Sequence, residues 1–252
     1  MRYMRSIQFI GDRKNWLMNL LWAGIAMLVP IVGPLVLDGW LYEVIESLHN
    51  DPEHKDYQDF DLNRLTEYLT RGIWPFLVDL IMQAIMMVPM FLAFIVFFAI
   101  VIGASQAKAP ALIVVGYLFL FAVIFAVAIV MTFISWPATF YAGLNRGFNF
   151  SGIVAFVKDF NKRVFRELLL SILFFFVAVF VAEMVGFALL CVGLLFTMAA
   201  VVMAGHHLQF QLYELYLQRG GTPIPVSSGS SPPPARVEPV GDEPDERFRS
   251  TP

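Results

Sequence analysis

The sequence predicts an all-α, polytopic membrane protein with six membrane segments, arranged as three hairpins, and amphipathic helices on its cytoplasmic face. Three observations lead there. Of 252 residues, 58% are hydrophobic and only 15% charged, against roughly 25% charged in a typical soluble domain. Between residues 167 and 207 lie thirty-nine positions with one charge, Glu183. As a single helix that stretch would run about 60 Å, twice the roughly 30 Å hydrocarbon core. It must therefore be one overlong span or two spans joined by a turn. The third observation is where the cations fall, and it decides between these.

In order along the chain, residues 1–15 carry Arg2, Arg5, Arg13 and Lys14 against Asp12 alone. An apolar run from Leu17 stops at Pro30, which cannot continue a helix, and a second run begins at Leu35. Each arm is short for a full crossing, so the pair forms a shallow hairpin or one kinked span. The region lacks a small-x-small cleavage site and is expected to be retained rather than removed as a signal peptide. Residues 47–71 are polar and acidic, with His49-Asn50-Asp51-Pro52 as a turn signal. Leu62, Leu65, Leu69 and Ile73 recur at helical spacing after Asp61, a good N-cap. Apolar runs at 76–103 and 111–142 flank a short turn containing Lys108.

The cleanest periodicity follows. Ser151 is the expected cap of a helix with Ile153, Phe156, Val157, Phe160 and Val164 on one face and Lys158, Lys162 and Arg163 on the other. Such a helix is expected to lie in the headgroup plane. Gly186 and Gly193 are the candidate breaks in the long apolar stretch. Residues 1–218 make the helical domain. Residues 219–252, which hold eight of the fifteen prolines from Gly220 onward, read as a disordered Pro/Ser/Gly-rich tail.

A four-span arrangement would leave the basic segment 146–166 outside. With both ambiguous regions as hairpins, sixteen of seventeen Lys and Arg share the cytoplasm and only Lys108 lies outside. The positive-inside bias favours this six-segment arrangement, with both termini cytoplasmic in the inner (plasma) membrane. Trp16, Trp40, Trp74 and Trp136 then cluster at the cytoplasmic boundary as an aromatic belt, with Lys158, Lys162 and Arg163 as interfacial anchors. The hairpins share polar-aromatic exits, Leu41-Tyr42-Glu43, Tyr141-Ala142-Gly143-Leu144 and Leu212-Tyr213-Glu214, a pattern that suggests repeats.

The run Asp12-Arg13-Lys14-Asn15-Trp16, followed by Val29-Pro30-Ile31-Val32-Gly33-Pro34 and Asp38-Gly39-Trp40, resembles the opening of an uncharacterised prokaryotic membrane family, domain-of-unknown-function family 4013. Trp40 stands where that family usually has Tyr, and its Leu-Pro before the second entry helix is missing around Tyr57 and Phe60. The resemblance extends over residues 5–218. It implies a multi-helix membrane domain and supplies no catalytic residues.

Ionisable groups in hydrocarbon are costly and draw functional attention. Asp38, Asp79, Glu183 and Arg146 form the candidate intramembrane polar site. Structural readings compete: Glu183 can snorkel or pair with Lys108, and Asp79 can pair with Arg71 or Arg146 to lock helices together. His206 and His207 are neighbours on a helix and diverge by about 100°, so they read as interfacial anchors. No metal motif, phosphate loop or nucleophile elbow is present, and no cofactor or metal is expected. The lone Cys191 excludes an internal disulfide. Expected partners are the lipid bilayer and a protein bound through the cytoplasmic loops or tail, not nucleic acid. The leading expectation is a non-enzymatic scaffold or membrane-organising protein. The alternative is a transporter of a small solute or lipid that uses the buried acids, if these converge on one cavity. A lipid-acting enzyme, built around His206 and Arg146, is the third class.

Overall fold

The computed structural model describes residues 1–50, 57–189 and 192–225. Among them every regular element is helical. α1 (Tyr3–Gln8) is followed by α2 (Trp16–Met27), α3 (Val32–Asn50), α4 (Leu65–Gln106), α5 (Pro110–Asn145), α6 (Phe150–Ala188) and α7 (Val192–Gln218). Four of these, α4 to α7, are long and apolar enough to cross a membrane, and α2 is a shorter apolar helix. At twelve residues α2 is about 18 Å long, too short to cross unaided. It packs on α3 after a tight connection in which Ile31 takes a left-handed backbone, φ 67°.

The apolar stretch 167–207 does double back. α6 stops at Ala188 and α7 starts at Val192, so the break falls between Gly186 and Gly193 rather than at either. Cys191 lies outside the described residues, as do Asp51 and Pro52 of the expected turn. The returning helix α7 is the central one. Half of its most apolar window is buried, against 6% for α5 and 11% for α4. α4 and α5 pack mainly on each other and show large apolar side chains to the surroundings, Phe91, Phe98 and Phe121 among them.

The helix ends follow local chemistry. Pro110 opens α5 at a position where its missing N–H costs nothing. The cap of α6 is Asn149, whose Oδ1 accepts from the Gly152 N–H at 3.1 Å; Ser151, the expected cap, donates to that same Asn149 oxygen. Asp61 caps as expected, accepting from the Asn63 N–H. Pro137 lies inside α5 and frees the Phe133 carbonyl one turn back; Asn161 of α6 donates its Nδ2 to that oxygen at 3.0 Å. Thus a helix defect becomes a helix–helix bond.

Two aromatic cores fill the polar end. One gathers Tyr42, Phe140, Tyr141, Phe156, Phe160, Tyr213 and Tyr216. All three tyrosines of the polar-aromatic exits thereby meet in a single core. The amphipathic segment 150–163 puts its apolar face into this core, so that face is covered by protein rather than laid on lipid. Val164, with non-helical φ −125° and ψ 22°, kinks α6 where that segment ends. The other core holds Trp40, Tyr57, Tyr68, Phe9 and Met203. Trp40 is therefore no boundary anchor: it is fully buried, and its indole N–H donates to the Gln58 carbonyl. Trp16 is 41% exposed.

The start of the expected tail is ordered. Arg219 pairs with Glu167 at 2.6 Å, the Tyr216 hydroxyl accepts from the Thr222 N–H and the Tyr213 hydroxyl from the Ile224 N–H. Asn145 donates to the Pro225 carbonyl. Residues 226–252 lie outside the described residues.

α3 and α4 run antiparallel in backbone contact. A Cβ on Gly39 would overlap the Tyr68 carbonyl, and one on Gly72 the Leu35 carbonyl. Gly39→Ala or Gly72→Ala is expected to push the helices apart at a cost of about 1–3 kcal/mol, read as a lower melting midpoint of the detergent-solubilised protein. Gly103→Ala, where a Cβ meets nothing, should not do this.

A second clasp ties the N-terminus to the loop after α3. Asp59 accepts from Arg13 Nε at 3.2 Å, Asn15 Nδ2 at 2.8 Å and Asn19 Nδ2 at 3.0 Å. Partial burial pushes its carboxyl up, but the hydrogen bonds from Asn19 and Asn15 and the Arg13 charge outweigh this and hold it below its ordinary 3.8. A depressed carboxyl adds stability above its unfolded value and loses it as pH falls through the folded one. Asp59→Asn should therefore melt lower than wild type at pH 7, and the gap should close as pH drops below 3.8. A gap that persists below pH 2 would refute the assignment.

Candidate functional site

Inside the polar half, helices α2 to α7 all contribute to one cavity of about 330 Å³. Its polar groups are Asp38 and Tyr42 from α3, Asp79 from α4, Ser135 and Thr139 from α5, and His206 and Gln209 from α7. Trp136 and Phe175 form apolar walls, packed edge to face at 5.1 Å. The α3–α4 backbone contact is what aligns the acids. Asp38 adjoins Gly39, and Asp79 follows Gly72 by two helical turns, one turn past Pro75.

Asp38 Oδ1 lies 3.5 Å from His206 Nε2. The other ring nitrogen, Nδ1, is 3.0 Å from the Val202 carbonyl, which can only accept, so Nδ1 carries a proton. Nε2 then faces the carboxyl either as an acceptor or, in the charged ring, as a donor. A proton placed between the two groups satisfies both. Tyr42 holds the imidazole from the side, ring to ring at 5.3 Å and 76°. Gln209 Oε1 is buried without a donor.

The arginines are elsewhere. Arg71 and Arg146 each reach Glu46 Oε2 at 2.7 Å, and Arg71 also donates to the Tyr42 carbonyl. The expected pairing of Asp79 with Arg71 or Arg146 is therefore not made: Glu46, unremarked in the sequence, sits between the two guanidiniums and is the lower-cost partner. Among the described residues Asp79 has no ion-pair partner. Arg146 does not line the cavity, so it is not brought to His206 either.

Glu183 stands apart. It is exposed on α6, eight residues or about 12 Å beyond Phe175, and forms no ion pair with Lys108. Of the four sequence candidates, two acids converge and the other two groups do not. Lys158 and Lys162 are exposed, whereas Arg163 bonds Asp159 at 2.8 Å and the Arg219 carbonyl. Trp74 is half-buried against the aromatic core, and Trp136 is a cavity wall. His207 leaves the surface entirely. It stacks on Phe9 at 4.4 Å and meets Ser6 Oγ at 3.0 Å, while Gln211 donates to the same oxygen. Together they dock α1 on α7. One helical turn on from Gln211, Glu214 turns to His49 at 2.6 Å. No group of three or more His, Cys, Asp or Glu side chains poised to hold a metal occurs among the described residues.

Gln209 is a cavity group that the sequence reading missed, and His206 was tied there to Arg146 rather than to the acids. One signal was present: His206, Gln209 and Tyr213 recur about one turn apart on α7, as Thr132, Ser135 and Thr139 do on α5.

The family whose model matches the chain is described as protein of unknown function (DUF4013), and the match spans residues 22–191. That is more than half of the chain. The chain belongs to the DUF4013 family. The matched region is narrower than the 5–218 expected from the motifs; it runs from within α2 to the end of α6 and includes Asp38 and Asp79, but not His206 or Gln209. No curated protein and no solved structure matches this chain. The DUF4013 description names no activity, so function rests on the cavity.

Proposed function

We propose that this DUF4013 protein is a multi-pass carrier of the inner (plasma) membrane that binds a small solute in the Asp38–Asp79–His206 cavity. The observation that carries this reading is the convergence of two acids from different helices on one polar space inside an apolar bundle. Structural acids in a membrane would be paired off or snorkel to the surface, as Glu46 and Glu183 do. Asp79 does neither.

In this reading α4 to α7 cross the bilayer, and α2 and α3 enter and return from the cytoplasmic side as the remaining two of six segments. The ends of α3, α5 and α7 and the starts of α4 and α6 meet around Glu46, His49 and Glu167, which supports both termini lying on one face. The meeting of Tyr42, Tyr141 and Tyr213 in one core supports three related hairpins. From Asp79, α4 continues for twenty-seven residues, about 40 Å, so the cavity opens near the cytoplasmic boundary.

A scaffolding role is the second reading. It is favoured by the far half of the α4–α5 hairpin, where Phe91, Leu92, Phe98 and Phe121 are 57–71% exposed and offer a face to lipid or to another membrane protein.

Thiol access tests the carrier. On a Cys191→Ala background, Thr139→Cys should react with a membrane-impermeant reagent from each side of oriented vesicles, and an Ala155→Cys control from the cytoplasmic side alone. Labelling of Thr139→Cys from neither side would end this reading. For the scaffold, in-cell crosslinking from Leu92 and Phe121 should capture a reproducible protein neighbour; lipid adducts alone would dismiss it.

A further inference from the structure

Resting on the carrier reading, the lining of the cavity also fixes the charge of what it holds. Asp38 and Asp79 face it, and no lysine or arginine is among the lining residues. Arg71 and Arg146 are both engaged by Glu46. His206, its Nδ1 proton directed at the Val202 carbonyl, turns Nε2 to Asp38 at 3.5 Å. The site thus sets two carboxyl groups in a lining with no lysine or arginine to answer them, and an unmatched buried acceptor is unfavourable until a donor arrives.

A cation with several N–H groups meets all of these demands. A bare divalent metal does not, because among the described residues no set of three metal-ligating side chains exists. The walls speak for an organic body on that cation. Trp136 and Phe175 line one side and Tyr42 another, and aromatic faces attract cations and cover apolar groups. At about 330 Å³ the space is at the small end of ligand pockets.

We infer that the cavity binds a small protonated amine, its ammonium between Asp38 and Asp79 and its apolar part against Trp136 and Phe175. The carboxylates supply charge-assisted acceptors, the strongest kind of hydrogen-bond partner.

Calorimetry on the full-length protein in detergent tests this, with benzylammonium, its neutral counterpart benzyl alcohol, benzoate and sodium chloride as probes. Benzylammonium is expected to bind, benzyl alcohol at least ten-fold more weakly, and benzoate and sodium not measurably. Asp79→Asn should weaken benzylammonium ten-fold or more, while Lys158→Ala leaves it unchanged. The probe series needs no variant, so a misfolded mutant does not blunt the test. Equal binding of amine and alcohol would overturn the inference about charge and leave the carrier reading standing. Sodium binding that excludes the amine would overturn the organic part. No binding of any probe, with Thr139→Cys labelled from both sides, would overturn the amine alone; the same silence with an unlabelled cavity would remove both.

Discussion

The contact on which the rest depends is the backbone-to-backbone approach of α3 and α4. Wherever two helices touch through side chains, their axes stay about 8–10 Å apart. Gly39 and Gly72 remove the intervening carbon atoms, and each helix rests on a carbonyl of the other. Small residues at a crossing are how membrane helices gain close packing without a hydrophobic drive between them. The consequence reaches the cavity. With α3 seated this deeply, Asp38 is carried into the bundle beside α7, and Asp79, on the same side of α4, opens into the same space.

Charge is partitioned along the molecule by cost. At the polar end, cations and anions pair across helices: Glu46 with Arg71 and Arg146, Arg64 with Glu43, Arg219 with Glu167. Such pairs fasten α3, α4, α5 and the start of the tail; the Arg71 guanidinium is buried, so removing Glu46 would strand its charge away from water. Further in, Asp38 and Asp79 line the cavity, with His206 as their neighbour. Because every arginine in reach is claimed nearer the surface, the inner acids are left for a proton or a bound cation. The same economy explains the ordered residues 219–225, where two tyrosine hydroxyls, already buried by the aromatic core, accept the backbone N–H groups of the chain leaving α7.

Helix content, the membrane setting, the doubling back between α6 and α7, the cap at Asp61 and the family were all legible in the residues. They rest on local rules, namely hydropathy against bilayer thickness, periodicity and turn chemistry. Reading went astray where one residue type serves two environments. Trp40 has the composition of an interfacial anchor, yet the loop around Tyr57 covers it. The face of Ile153, Phe156 and Phe160 has the pattern of a helix lying on lipid, yet Tyr213 and Tyr216 take the place of lipid. An amphipathic stripe records that an apolar face is covered, not by what.

The sequence by itself determined that this chain lives in a membrane, where it must turn, and which acids are too costly to be there by accident. Only the tertiary structure decided that Asp38 and Asp79 share a cavity with His206 while Glu183 and Arg146 do not. The physical reason is that span and turn follow from how many apolar residues stand in a row, a property of neighbours in the chain. Which side chains meet depends on how closely helices approach and how they cross, and that is set by glycines, prolines and arginines whose partners lie thirty to two hundred residues away.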